Sequence, residues 1–167
     1  MVQGQGRYRA EAGGDGSINE DGLGGYDTNR NWAWQWQPEG IQYGARDYPF
    51  SLPESRNIAN YVMSKPNIAA AQCYHNAGGM ILRGPGQDVG KVHPSDERVA
   101  KLIGERGTRI LPFYDNYVVW SDLYTVWGGA FEWFYGARGI LSFTNELWTN
   151  DNLFREDLAR GSEGNKD

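Results

Sequence analysis

Apolar positions over residues 1–28 follow neither a helical nor a strand period, and the segment is Gly-rich and polar, so it reads as a loop or arm. Sustained patterning begins at Ser51-Leu52-Pro53-Glu54, which has capping-box spacing with Pro in the first turn. Ile58, Val62 and Met63 then mark an apolar stripe with Ala59 and Tyr61 beside it, and the helix must end before Pro66. The run Ile68-Ala69-Ala70-Ala71-Gln72-Cys73-Tyr74 is continuous and short, ending at His75 and Gly78-Gly79. It predicts a buried strand that delivers His75 at its C-terminal end, and Met80-Ile81-Leu82-Arg83 predicts another short strand. Ser95 is the expected cap of a helix running to about Arg106, with Val99, Leu102 and Ile103 inward and Gly107 as its stop. A third helix is expected over much of 117–135, interrupted at Gly128-Gly129. Gly139 then precedes the strand Ile140-Leu141-Ser142-Phe143-Thr144, which delivers Glu146. Helices alternating with short buried strands predict an α/β sheet layered by helices, with no internal repeat and no second domain.

Composition narrows the function. A chain of 167 residues, 40% hydrophobic and 22% charged, suits one globular domain and excludes collagen-like and disordered classes. The net charge of −5 provides no basic face for counterion release, so no nucleic-acid partner is expected. No stretch approaches a membrane span, and the polar first residues carry no targeting signal, so no membrane partner is expected either. One cysteine, Cys73, precludes an internal disulfide, and two histidines, His75 and His93, leave few metal ligands. Asp15, Ser17, Asn19 and Asp21 alternate as in a calcium loop, but Tyr26 stands where an EF-hand needs its bidentate Glu; a structural calcium and a plain solvated turn are the two readings of the segment.

Two strand ends therefore deliver a His and a Glu, where open α/β sheets place their sites. Three further segments stand out: Asn29-Arg30-Asn31-Trp32; Pro49-Phe50-Ser51-Leu52-Pro53-Glu54-Ser55-Arg56; and Tyr74-His75-Asn76 followed by Gly79-Met80-Ile81-Leu82-Arg83. With Tyr124, Gly128-Gly129, Trp133, Gly139 and Ser142-Phe143-Thr144-Asn145-Glu146-Leu147, this order resembles the zinc metallocarboxypeptidases of the carboxypeptidase A type over about residues 23–148. The resemblance implies a partial mixed α/β sheet flanked by helices, with the family's N-terminal strands missing. It divides the chain into a Gly-rich arm (1–28), the C-terminal part of a catalytic domain (29–154) and a charged tail (155–167).

The resemblance also assigns roles. His75 matches a zinc ligand, suited to a neutral imidazole, and Glu146 matches the general base that takes a proton from zinc-bound water. Asn29 and Arg30 match the pair that holds a substrate's terminal carboxylate, with Asn76 also on the substrate side. Tyr124 matches the tyrosine that swings over the substrate, and Phe131 falls where the family sets its side-chain preference, favouring apolar C-terminal residues, with the adjacent acid Glu132 standing against that preference. The implied activity is removal of C-terminal residues from peptides, in a secreted or periplasmic setting.

The departures are as informative. The family's other two zinc ligands come from an upstream His-x-x-Glu, which occurs nowhere in this sequence. His93-Pro94-Ser95-Asp96 lies after His75, in the wrong order, and is expected to cap a helix. Arg7 or Arg9 could stand in for the oxyanion arginine, although the sequence around them aligns poorly, and Ala77 replaces a commonly aromatic residue. With one of three ligands matched, the isolated chain is expected to be inactive, and an open sheet edge invites self-association. Two other readings stay open: a non-catalytic module for peptide C-termini or peptidoglycan stems, and a carbohydrate surface built from Trp32, Trp34 and Trp36. In non-catalytic terms Arg30 could pair with Asp27, and Tyr124 and Trp133 could simply pack.

Overall fold

The computed structural model describes residues 25–147. The calcium-like loop at 15–26, most of the N-terminal arm and the charged tail lie outside the described residues or at their margin.

A short 3-10 turn at Thr28–Arg30 is followed by an irregular segment and then α1 (Pro53–Met63), β1 (Ala70–Asn76), β2 (Met80–Arg83) and α2 (Pro94–Ile110). β3 (Asp115–Val118) leads through a π-helical turn at Val119–Leu123 to α3 (Ala130–Arg138) and β4 (Leu141–Leu147). The four strands form one sheet in the order β1-β4-β2-β3. β1 runs parallel to β4, β2 antiparallel to β4, and β2 parallel to β3. This is the mixed, helix-flanked α/β sheet expected from the sequence.

One face of the sheet carries α3 and α1, joined through Trp32, Ala59, Val62, Trp133, Phe134 and Ile140. Trp32 lies 5.3 Å from the Trp133 ring and 5.4 Å from that of Phe134, with Phe50 edge-on to Trp32. Burying each such aromatic contributes about 2–3 kcal/mol. α2 covers the opposite face, over Ile81, Ala100 and Phe143.

Asn31 holds the segment before α1 in place. It is fully buried, and its Nδ2 donates to Ala45 O (2.7 Å), Tyr48 O (2.9 Å) and Ser51 Oγ (2.9 Å). Its Oδ1 accepts from Leu52 N (3.0 Å) and Ser55 Oγ (2.9 Å). Ser51 is therefore not the cap of α1 as expected. Leu52 occupies that position without a side-chain bond, because the Ser51 hydroxyl is turned to Asn31; Pro53 does fill the first turn.

Other expectations are corrected in the same way. Val99, Leu102 and Ile103 point outward, at 49%, 49% and 41% exposure, while Ala100 and Gly104 are buried. The small residues face the sheet because they let the helix axis approach it: a Cβ at Gly104 would overlap the Asn116 side chain, and one at Gly107 would sit 2.5 Å from Ile81 Cδ1. Gly107 thus lies inside α2, not at its end. His93, not Ser95, is the N-cap; its Nδ1 accepts from Ser95 N (3.3 Å). On α1, likewise, Ser55, Ala59 and Val62 face inward while Ile58 and Met63 are exposed.

β1 is an edge strand, not a fully buried one: Ala70, Gln72, Tyr74 and Asn76 are exposed, alternating with half-buried residues. The helix expected over 117–135 is replaced by β3, the π turn, an extended stretch and α3. Tyr117-Val118-Val119 suits a strand, the Asp122 carboxylate accepts from Val118 N (2.6 Å) to fix the turn, and Gly128 at φ 66° precludes helix before Ala130.

Candidate active site

Asn29 and Arg30, the residues expected to hold a carboxylate, sit on the 3-10 turn. Asp27 caps it, its Oδ1 accepting from Asn29 N (2.8 Å), and Arg30 Nη1 lies 3.6 Å from Asp27 Oδ2 while donating to Asn29 O (2.9 Å). The turn is tied to α3, a hundred residues later. Asn29 Oδ1 accepts from Ala130 N (2.8 Å), and Trp32 N donates to Gly128 O (3.0 Å). Gly128 fits because its φ is positive and because a Cβ there would stand 2.5 Å from Arg30 O.

His75 and Glu146 are register partners on β1 and β4, so strand alternation sends both side chains to one face. Their Nδ1 and Oε1 atoms are 3.7 Å apart, and Glu146 O accepts from Gly79 N (3.0 Å) where the chain turns into β2. Burial pushes the His75 imidazole below its ordinary range; nearby Asp27 opposes this and Arg30 adds to it. The neutral ring is favoured, so the pair is a close approach and not a charged bridge at neutral pH. Burial raises the Glu146 carboxyl, and the Arg30 cation opposes it. Asp27, Arg30, His75 and Glu146 thus act on one another's charges at the same end of the sheet.

The remaining expected residues lie less centrally. Tyr124 is 57% exposed on the extended stretch after the π turn; its N–H donates to Val119 O (2.9 Å), and its hydroxyl makes no hydrogen bond among the described residues. Asn76 is exposed and alternates to the face opposite His75. Phe131 is buried against Leu82, Val119 and Val126. Trp32 is buried with its Nε1 donating to Thr28 O, Trp34 covers Gly136, and Trp36 Nε1 donates to Ala45 O. Trp34 is 36% exposed, but Trp32 is buried and Trp36 half-buried, so the three do not form an exposed row.

Sequence reasoning met Glu132 only as the neighbour that clouds the preference read from Phe131. It is buried in the first turn of α3, with Oε1 accepting from Gly86 N (2.8 Å) and Oε2 from Gln87 Nε2 (2.7 Å). Burial pushes its carboxyl up to about 7, against the pull of these donors and of Arg30. The available signal was a lone acid inside Ala130-Phe131-Glu132-Trp133-Phe134, an otherwise apolar turn.

A family model described as zinc carboxypeptidase matches residues 3–166. The chain belongs to the zinc carboxypeptidase family. A zinc carboxypeptidase of Simulium vittatum is 27% identical over 150 residues, which cover 81% of this chain and 48% of that protein. Carboxypeptidase A from Helicoverpa armigera superposes with a TM-score of 0.64 at 28% identity, over 78% of this chain and 35% of the other. Bovine thrombin-activatable fibrinolysis inhibitor, solved with a tick carboxypeptidase inhibitor, superposes at 0.66 with 22% identity, over 86% and 50%; this likeness supports the fold. The chain therefore spans about half the length of the curated relative and a third to a half of these solved chains.

Membership in the zinc carboxypeptidase family implies zinc. The described residues do not fit the metal by themselves: among them no group of three or more His, Cys, Asp or Glu side chains is placed to hold an ion. His75 has Glu146 beside it, and His93 is committed to capping α2. Among the described residues no helix is long and apolar enough to cross a membrane.

Proposed function

We propose that this site binds the free C-terminal carboxylate of a peptide and belongs to a metallocarboxypeptidase centre that removes the terminal residue. The observation that carries the reading is the convergence of Arg30 with His75 and Glu146. Arg30 is half buried, spends one nitrogen on Asn29 O and the 3.6 Å approach to Asp27, and keeps its other guanidinium N–H groups for a planar carboxylate. Asn29, its Oδ1 already engaged by Ala130 N, offers its amide N–H groups to the same anion. Glu146, whose carboxyl Arg30 holds down against the effect of burial and so favours as the carboxylate, accepts a proton from a water directed at the scissile carbonyl.

His75, its neutral form favoured by burial, would supply one ligand to a metal whose other ligands lie outside the described residues. Tyr124 closes over the bound peptide from its exposed stretch, Asn76 contributes on the rim, and Phe131 gives an apolar floor that favours apolar terminal residues. The exposed β1 edge is where the sheet is open to a further strand or a second copy. Among the described residues the zinc site is not complete, and the expected behaviour of the isolated chain is peptide binding without hydrolysis.

The test is calorimetric titration with a short peptide ending in phenylalanine, as the free acid and as the C-terminal amide. The acid is expected to bind at least tenfold more tightly, and Arg30→Gln to abolish the difference. Equal binding of acid and amide, or an unchanged preference in Arg30→Gln, refutes the reading. Zinc content after dialysis, with His75→Ala in parallel, reads the metal question: stoichiometric zinc lost in the variant would overturn the binding-only state of the chain.

A further inference from the structure

A cavity of about 450 Å³, counting its open mouth, lies between α2, α3 and the end of the sheet. Arg83, the last residue of β2, lines it together with Trp34, Val92, Asp96, Glu132 and Leu141. Asn29, Arg30, His75 and Glu146 take no part. The register explains the separation: Met80 pairs with Glu146 and Leu82 with Thr144, so alternation turns Arg83 away from Glu146 and toward the α2 side.

Arg83 is only 8% exposed, yet its Nε and Nη1 are buried without a hydrogen-bond partner among the described residues. A buried guanidinium in this state lacks both its hydration and a counter-charge, a costly condition unless a bound group meets it. The two acids of the lining do not supply one. Asp96 Oδ2 accepts from the Tyr135 hydroxyl (2.8 Å), and both Glu132 oxygens are taken by Gly86 N and Gln87 Nε2. No ion pair joins Arg83 to either acid among the described residues.

We propose that this cavity is a second anion site, separate from the peptide clamp, which takes a small monocarboxylate with an apolar or aromatic body. The planar guanidinium matches a carboxylate through charge-assisted hydrogen bonds. The indole of Trp34 and the side chains of Val92 and Leu141 offer an apolar wall to the rest of the molecule. Asp96 and Glu132 in the lining act against a dianion, so phosphate is disfavoured.

Benzoate is the probe, with benzamide as its uncharged counterpart and inorganic phosphate as the dianion. Titrations use the 167-residue chain carrying Arg30→Gln, which removes the peptide clamp as a competing carboxylate site. Benzoate is expected to bind at least tenfold more tightly than benzamide or phosphate, and Arg83→Met in the same background to abolish this. Arg83→Met is also expected to unfold at the same or a higher temperature, since it replaces an unpaired buried cation by an apolar chain of similar length. Arg83→Lys, which keeps the charge but loses the planar fork, is expected to weaken benzoate at least fivefold and answers the question if the Met variant does not fold. Benzamide or phosphate binding as well as benzoate, or benzoate binding undiminished in Arg83→Met or Arg83→Lys, overturns the proposal. Peptide binding by Arg83→Met with Arg30 intact is expected to be unchanged, so failure of the two sites can be told apart.

Discussion

Glu132 makes stability depend on pH in a direction opposite to most carboxylates. Its carboxyl is pushed from the ordinary 4.5 to about 7 in the folded chain, mainly by burial. Below pH 4.5 both folded and unfolded chains hold the proton, and the group imposes no penalty. Between 4.5 and 7 the unfolded chain releases the proton while the folded chain retains it, so stability falls as pH rises. Above 7 both are ionised and the loss is complete. At about 1.4 kcal/mol per pH unit the full loss is about 3 kcal/mol. Glu132→Gln cannot ionise and removes this slope, although its amide N–H₂ meets the Gln87 amide and lowers stability at acid pH by roughly 1–3 kcal/mol. The assay is urea unfolding of both proteins from pH 5 to pH 8. Glu146, also raised, and His75, lowered, titrate in both proteins and cancel in the difference. Wild type minus variant is expected to fall by roughly 2–3 kcal/mol across that range, a midpoint change of about 1–2 M urea. A difference that is flat or rises with pH refutes the assignment of Glu132 as a buried, neutralised acid.

Asn31→Ala removes five hydrogen bonds at a fully buried position and takes from Leu52 N its acceptor, while Ala45 O keeps Trp36 Nε1 and Tyr48 O keeps Ser51 N; chemical denaturation is expected to show a loss of about 2–4 kcal/mol, and a loss below 1 kcal/mol would show that the loop closes without it. Gly128→Ala places a Cβ against Arg30 O and strains a backbone at φ 66°. It is expected to weaken free-acid peptide binding at least fivefold in titration while leaving amide binding as it is; equal weakening of both would place the damage in the fold and not in the clamp.

What the sequence conveyed depended on how local the determining contacts are. The strands carrying His75 and Glu146, the helix opened by Pro53 and the Gly139 that ends α3 are written in short windows, and they stand where expected. The faces of α1 and α2 were misjudged because large apolar residues ordinarily mark the inner side. Here Ala100, Gly104 and Gly107 face the sheet, a choice fixed by how near Asn116 and Ile81 lie, which no window of α2 contains. β3 was missed because Asp115–Val118 is a four-residue strand whose partner, Met80–Arg83, lies more than thirty residues earlier. The pairing of His75 with Glu146 followed from the family pattern, whereas Glu132 and Arg83 were invisible as chemistry because only burial makes them exceptional.

The clamp and the helix behind it form one electrostatic unit. The Arg30 turn is held by Asn29 Oδ1 on Ala130 N and by Trp32 N on Gly128 O, so the start of α3 fixes where the guanidinium points. Two residues further on, the same helix buries Glu132, and the Arg30 charge lowers the pKa of Glu132, Glu146 and His75 alike. A carboxylate seated on Arg30 neutralises that charge, so each of these groups then holds its proton to higher pH. For Glu132 the consequence is a better-tolerated neutral acid behind the site. On the proposed reading, Glu146 would be a stronger base once a substrate is in place, coupling recognition of a terminal carboxylate to the proton transfer that would follow.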